Sequence, residues 1–524
     1  MRERPEDFMT SNMPTRRTLA LVVSAIACAA SVAAQIPRQP TPGGADYYEI
    51  MELNARFCHA LDSGADQGRM FANLFIPNGV YVDAAGQPTR GSDGLAGLAL
   101  AYGKPEIASV RHFTINVRIE MVPGGARQWS YLLIAGPGPE GSPGMVTDGG
   151  QYWDELVKTP EGWRYQKRTL LSPGTPRPEA SAFFAGLASG AAPMGRNPKP
   201  TAKPELTPLD RAQIYQLYAH YPYALDKALD NGEAFANLFT ADGVMADADG
   251  SMISGRGKLA EFVWKRGLTD VDTYITNVML EVTPEGVIGR AYVMNSLIPQ
   301  LPASSTIYPV GMFVDQIVKT SEGWRFKHKT LVPPGAPRAA IMAAASTSGM
   351  GTKEAKAESR KNPGQELTAD DYAEIQQLYG RYAHGYDSKV DNGVTYLSVY
   401  TKTGRFTDQF NRIVDGFDAL DKTYAHSATG APNPIGITHS TWNLSVDPAP
   451  WGAAGRSYTG GGRINAPGSN PSPGLLGEYL DMIVKTPEGW RYERRIFRQH
   501  FPRPPGRVGG PPPNAAMSAA PGTR

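Results

Sequence analysis

The phrase VKTPEGWRYQKRTL begins at Val157, VKTSEGWRFKHKTL at Val318 and VKTPEGWRYERRIF at Val484. A chain that repeats one phrase three times folds as three related units. The period, roughly 160 residues, is the size of a domain and far too long for a solenoid repeat. Aligned on this phrase, other landmarks fall into register. HALDSGADQGRMFANLF from His59 meets YALDKALDNGEAFANLF from Tyr223 and HGYDSKVDNGVTYLSVY from His384. HFTIN at His112 meets TYITN at Thr273 and HSTWN at His439, while GQYWD, GMFVD and GEYLD precede the phrase each time.

Composition marks the boundaries. Residues 173–205, 334–366 and 502–524 are rich in Pro, Ala and Gly, which suits linkers and a disordered tail. Domains are therefore expected at 45–172, 206–333 and 367–501, with 35–44 a short lead-in. The Gly/Pro/Ser-rich stretch 449–473 reads as an enlarged loop of the third copy. Within a copy the pattern predicts helix, helix, strand, helix, then four strands. Tyr47, Ile50, Met51, Asn54, Phe57 and Leu61 recur at helical spacing. Thr207-Pro208 and Thr368 supply helix-start chemistry in the later copies. Val110–Val122 and Gln128–Ile134 alternate like half-buried strands. In the repeated phrase, Thr-Pro-Glu-Gly has the chemistry of a tight hairpin turn. Its closing strand pairs Asp154, Asp315 and Asp481 with basic Arg168, Lys329 and Arg495, best read as cross-strand ion pairs.

The order of these pieces resembles the SnoaL-like division of the nuclear transport factor 2-like superfamily, close to its scytalone dehydratase-related members. Copy one carries the whole pattern: Asp62, Leu74-Phe75, Gly79-Val80, Gly91, Arg111-His112-Phe113, Asn116, Gly150, Tyr152, Asp154 and Gly162-Trp163-Arg164. The resemblance implies an α+β fold: three tandem cone-shaped domains, each a strongly bent antiparallel sheet packed on helices around a pocket. It also implies that an aspartate and a histidine face that pocket. Asp62 with His112, and Asp387 with His439, are then candidate acid–base pairs. A carboxylate fixes the tautomer of an imidazole and raises its basicity. Copy two keeps the acid as Asp226 but has Thr273 in the histidine slot, so it reads as degenerate. Tyr386 matches a tyrosine of the dehydratase. Its second histidine, on the following strand, has no counterpart in Gln128–Leu132 or Arg456–Thr459. His59, Tyr81, Asn116, His384 and Asn443 complete the expected pocket groups. His426 and His500 have no matching slots.

The resemblance implies either cofactor-independent lyase- or isomerase-type chemistry on a small, largely apolar molecule, or a non-catalytic binding or scaffold protein using paired sheet faces. Domain pairing within the chain is expected, and a homo-oligomer is compatible with it. No close His/Cys/Asp/Glu spacing suggests a metal, and no phosphate-cradling loop or serine elbow suggests a nucleotide or a serine hydrolase. Net charge is +2 without a basic run, which argues against nucleic acid. Arg16-Arg17 followed by apolar Leu19–Ala30 and Val32-Ala33-Ala34 reads as a signal peptide over 1–34. It predicts a periplasmic or secreted protein. MPTRRTLALVV from Met13 is the more ordinary opening, and Cys28 offers a lipoprotein alternative. Cleavage would leave Cys58 as the single cysteine, in an apolar helix and without a disulfide.

Overall fold

The computed structural model describes residues 40–103, 110–136, 145–184, 206–247, 249–267, 271–297, 306–333, 366–388, 390–427, 435, 439–463 and 472–500. The expected signal peptide and Cys28, most of the linkers and the tail lie outside these residues. Copy one opens with α1 (Gly44–Ser63), whose stripe Tyr47, Ile50, Leu53, Phe57 and Leu61 is buried. Gly64 ends it in the left-handed region, φ 55°, with its N–H on Ala60 O. Then follow α2 (Arg69–Ala72), β1 (Phe75–Val82), β2 (Pro88–Arg90), α3 (Gly91–Tyr102), β3 (Arg111–Val122), β4 (Gly125–Gly136), β5 (Met145–Thr159), β6 (Gly162–Leu171) and α4 (Ala180–Phe183).

Copy two repeats the plan with α5 (Pro208–Asp226), α6 (Glu233–Ala236), β7 (Phe239–Ala246), β8 (Met252–Ser254), α7 (Arg256–Arg266), β9 (Val271–Thr283), β10 (Gly286–Leu297), β11 (Thr306–Thr320) and β12 (Gly323–Val332). Copy three has α8 (Ala369–Ser388), α9 (Val394–Leu397), β13 (Tyr400–Thr407), β14 (Ile413–Asp415), α10 (Phe417–Ser427), β15 (His439–Ala449), β16 (Gly452–Arg463), β17 (Ser472–Thr486) and β18 (Gly489–Gln499). Each sheet has six strands in the same order, β2-β1-β6-β5-β4-β3 in copy one. All neighbours are antiparallel except the pair equivalent to β1 and β6.

Two expectations need correction. The glycine-rich stretch after Ala449 is a strand over Gly452–Arg463, because β15 and β17 pair with it on both sides. The presumed linker does not begin at 173. Pro173 is buried, and Phe184 packs against Trp129 and Trp153 at ring-centroid distances of 5.2 and 5.7 Å.

The repeated phrase closes each domain. Trp163 Nε1 and Lys158 Nζ both donate to Asp46 at the start of α1, at 3.0 and 2.6 Å. Trp324 and Lys319 do the same to Asp210, and Trp490 and Lys485 to Asp371. Asp210 and Asp371 also complete capping boxes with Thr207 and Thr368. The ion pairs Asp154–Arg168, Asp315–Lys329 and Asp481–Arg495 face one another across the last hairpin and are fully buried. Aromatic rings surround the cations: Arg168 lies 4.1–4.3 Å from the centres of Phe57, Tyr152 and Tyr165.

One swap shows how tightly this interior is fitted. In copies two and three a tyrosine, Tyr218 or Tyr379, donates to the paired aspartate at 2.6 Å. A side chain at Gly289 or Gly455 would collide with that hydroxyl. Copy one has Asn54 and Gln128 in these slots, and their amides bond each other at 2.8 and 2.9 Å.

The copies close into a ring. The first helix of copy one lies on β9 of copy two, that of copy two on β15 of copy three, and that of copy three on β3 of copy one. The three helices also touch one another. Asn116, Asn277 and Asn443 make the seams. Each sits at a bulge in the left-handed region, φ 50–54°, where asparagine is tolerated better than most residues. Each side-chain oxygen accepts a backbone N–H from the neighbouring copy: Asn116 from Thr441 at 2.9 Å, Asn277 from Thr114 at 3.3 Å, Asn443 from Ile275 at 2.8 Å. The arrangement is three-way rather than a pairing of two sheet faces.

Candidate acid–base sites

Asp62, Asp226 and Asp387 stand in the last turn of the three first helices, where each can reach the start of the long edge strand. One oxygen accepts the backbone N–H of His112, Thr273 or His439, at 3.1, 2.7 and 3.0 Å. The other oxygen contacts that residue's side chain. Nδ1 of His112 and of His439 lies 2.5 Å from it, and in copy two Thr273 Oγ1 donates to it at 2.9 Å. The sequence thus placed Asp62 with His112 and Asp387 with His439, and the structure brings both pairs together. In both copies Nδ1 is thereby committed to the aspartate.

The copies differ in openness and lining. The His439 side chain is 25 % exposed, that of His112 5 %. Tyr102 stands edge-on to His112 at 5.6 Å. Tyr386 and Tyr382 stand edge-on to His439 at 4.9 and 6.1 Å, and Tyr396 stacks on Tyr424 behind them.

Electrostatics separates the aspartates. Burial works to raise Asp387, but His439 and the Tyr131 hydroxyl outweigh it and hold the carboxyl below its usual value. Asp226 is pushed up to about 7 by burial and by the nearby charge of Asp272. Asp272 is itself buried, yet held low by His500, whose Nδ1 lies 2.6 Å away, and by Lys227. His500, unmatched in the sequence comparison, therefore fastens copy three to copy two.

A group that sequence reasoning missed completes each aspartate. Tyr131 of copy one donates to Asp387 of copy three at 2.7 Å. Tyr458 of copy three lies 3.5 Å from Asp226 of copy two, and burial, helped by the charge of Asp62 in copy one, pushes the Tyr292 hydroxyl of copy two upward. The signal was present: these three tyrosines share one slot on the strand searched for a second histidine. Their role was hidden because each serves the neighbouring copy.

Several expected pocket groups face the seams instead of their own cones. His59 Nε2 donates to Asn277 O at 2.9 Å and His384 Nε2 to Asn116 O at 2.8 Å. Burial lowers these imidazoles to about 4 and about 3, so both are neutral donors at pH 7. Asn116 and Asn443 are the seam residues described above. Tyr81 is in the core of copy one, stacked on Phe57. A cavity of about 130 Å³ lies at the meeting of the copies, lined by Met51, Asn54, Tyr215, Gln216, Asn277 and Asn443 among others. Among the described residues no group of three or more His, Cys, Asp or Glu side chains could hold a metal ion, and no helix is long and apolar enough to cross a membrane.

Three bent six-stranded sheets, each with an aspartate on its first helix meeting the edge strand, define tandem cone domains of one type. The chain belongs to the SnoaL-like domain family, whose model matches residues 45–169, 207–330 and 367–496. No curated protein matches its sequence. Among solved structures it is similar to a protein of unknown function from Mycobacterium tuberculosis, with 22 % identity over 27 % of this chain and 88 % of that one, TM-score 0.21. It is also similar to an NTF2-like protein with a cystatin-like fold from Novosphingobium aromaticivorans, with 19 % identity over 34 % and 98 %, TM-score 0.22. A protein of unknown function with a cystatin-like fold from Nostoc punctiforme gives 20 % identity over 26 % and 96 %, TM-score 0.22.

Proposed function

We propose that this chain is an exported, cofactor-independent acid–base catalyst acting on a small, largely apolar carbonyl compound, with working sites in copies one and three. The observation that carries the proposal is the 2.5 Å contact between Nδ1 and the aspartate in both copies. Held this way, the imidazole presents Nε2 as a base. It takes a proton from the carbon beside a carbonyl, and the C–H electron pair moves toward the carbonyl oxygen to form an enolate. If a hydroxyl stands on the next carbon, the imidazolium returns the proton to it, the C–O bond breaks and water leaves, a net dehydration. Without that hydroxyl the imidazolium returns the proton to the opposite face of that carbon or to a conjugated carbon, an isomerisation. The aspartate stabilises the imidazolium throughout. Copy two, with a threonine, completes the ring without this chemistry.

The filled interior favours a second reading. Buried ion pairs and aromatic rings occupy the base of each cone, which suits a binding or scaffold protein. Exchange of α-protons in D2O, followed by NMR on a panel of small β-hydroxy ketones, separates the two. The catalytic reading expects exchange that falls about 10²–10⁴-fold in the double variant His112→Ala/His439→Ala. Exchange unchanged by both substitutions, or absent throughout, rejects it.

A further inference from the structure

The three seams repeat one plan, and the seam between copies one and two departs from it. Gln216 and Gln377 each accept a backbone N–H of the next copy, from Val446 at 2.7 Å and from Ile119 at 2.8 Å. Glu52 holds that slot on α1 and pairs with Arg56 and Arg211 instead. The bond that Asn277 accepts is 3.3 Å long, against 2.9 and 2.8 Å for Asn116 and Asn443. Of the three seam amides, that of Asn277 alone is buried without a partner on Nδ2. The first helices differ as well. A Cβ at Gly380 of copy three would stand 2.6 Å from Val117 O, so α8 meets β3 in direct backbone contact. Ala55 and Ala219 hold that slot in copies one and two, and both line the cavity at the meeting of the copies.

Met51, Tyr215, Ile275, Val278 and Leu444 give that cavity apolar walls, and no side chain lining it carries a charge. Several of its polar groups are spent on the protein. Tyr215 donates to Val278 O, Gln376 bonds Tyr47 and Tyr48, and Asn443 bonds copy two through both side-chain atoms. Asn277 lines the cavity too and brings the unused donor. An engineered apolar cavity of about 150 Å³ takes up benzene, and this one measures about 130 Å³. Uncharged walls penalise an ion, whereas an acceptor on a ligand relieves the cost of a buried, unpaired N–H. We propose that the three-copy junction binds one small neutral molecule, about the size of benzene, with a hydrogen-bond acceptor on Asn277 Nδ2. Bound there, it braces the seam with the fewest hydrogen bonds of its own. None of Asp62, His112, Asp387 and His439 lines this cavity, so the proposal is independent of the catalytic reading.

Calorimetric titration of the full chain at pH 8 with pyridine, and with benzene as the same shape without an acceptor, tests this. Both are expected to bind at one saturable site. Asn277→Asp keeps the acceptor for Thr114 N–H and removes the donor. It should lower pyridine affinity about fivefold relative to benzene, the worth of one net hydrogen bond. Asn277→Gly, which suits the left-handed backbone, serves if the carboxylate variant does not fold. Ala219→Leu fills the cavity and should abolish binding of both probes, and Ala55→Leu does the same from α1 if the first does not fold. No saturable binding to the parent, undiminished binding in a folded filling variant, or an unchanged pyridine-to-benzene ratio without the Asn277 donor would each overturn the proposal. The double variant His112→Ala/His439→Ala should leave both affinities in place. Loss of binding there would move the site into the cones and overturn the proposal as well.

Discussion

Copies one and three hold an imidazole against the helix-terminal aspartate, and copy two holds a hydroxyl in the same place. The backbone N–H bond and the neighbour's tyrosine persist in all three. The aspartate therefore has a scaffold duty, tying the first helix to the edge strand and to the next copy, that survives loss of the histidine. Its charge does not survive in the same form. Asp387 is held low by its partners, whereas Asp226, without an imidazole and near Asp272, is pushed up to about 7. Copy two diverges in the base of its cone too, with Lys329 where the others have Arg168 and Arg495.

The largest effect should come from that base. Asp154→Ala leaves a guanidinium buried that cannot lose its proton, and should cost about 3–5 kcal/mol in denaturant unfolding. Asp315→Ala should cost less. Burial already brings Lys329 down to about 8, so the lysine can shed its proton, and its deficit should shrink as pH rises. Equal costs at every pH would erase this distinction between the copies.

Next is the pH response of Asp226. In the folded protein it keeps its proton to about 7, whereas the unfolded chain releases it near 3.8. The stability this brings is full below about 4 and lost as pH rises through about 7. Asp226→Asn stays neutral throughout, so its melting temperature should gain on the parent between pH 4 and 8. The shift corresponds to no more than about 4 kcal/mol. A difference independent of pH would show that Asp226 titrates normally.

The smallest effect is at the seams. Asn116 and Asn443 also donate through Nδ2 to the next copy, at 3.3 and 2.6 Å, while Nδ2 of Asn277 is buried without a partner. Alanine at any of the three incurs left-handed strain of about 1–2 kcal/mol. Asn116→Ala and Asn443→Ala should exceed Asn277→Ala by about 1 kcal/mol, one net hydrogen bond.

Much of the fold was legible because the chain supplies its own comparison. The fourteen-residue phrase fixed the frame, helical and alternating spacing gave the elements, and Asp62, His112, Asp387 and His439 stood out against Thr273. What stayed hidden was long-range. His59 and His384 look like pocket groups until a neighbour's carbonyl is placed beside them. Tyr131 reads as core until its hydroxyl is found on Asp387, 256 positions away in the chain. The glycines of β16 read as loop because local composition does not reveal a partner on either side. Pro173 and Phe184, packed in the structure, lay in a segment whose Pro, Ala and Gly content matched a linker.

The central claim is that each aspartate is completed by the copy next to it. Specific ¹⁵N labelling of histidine should show two downfield Nδ1–H resonances, assigned with His112→Ala and His439→Ala. Tyr131→Phe, a change in copy one, should shift the resonance of His439 in copy three and leave that of His112 in place. A shift confined to His112, or none at either histidine, would contradict the ring.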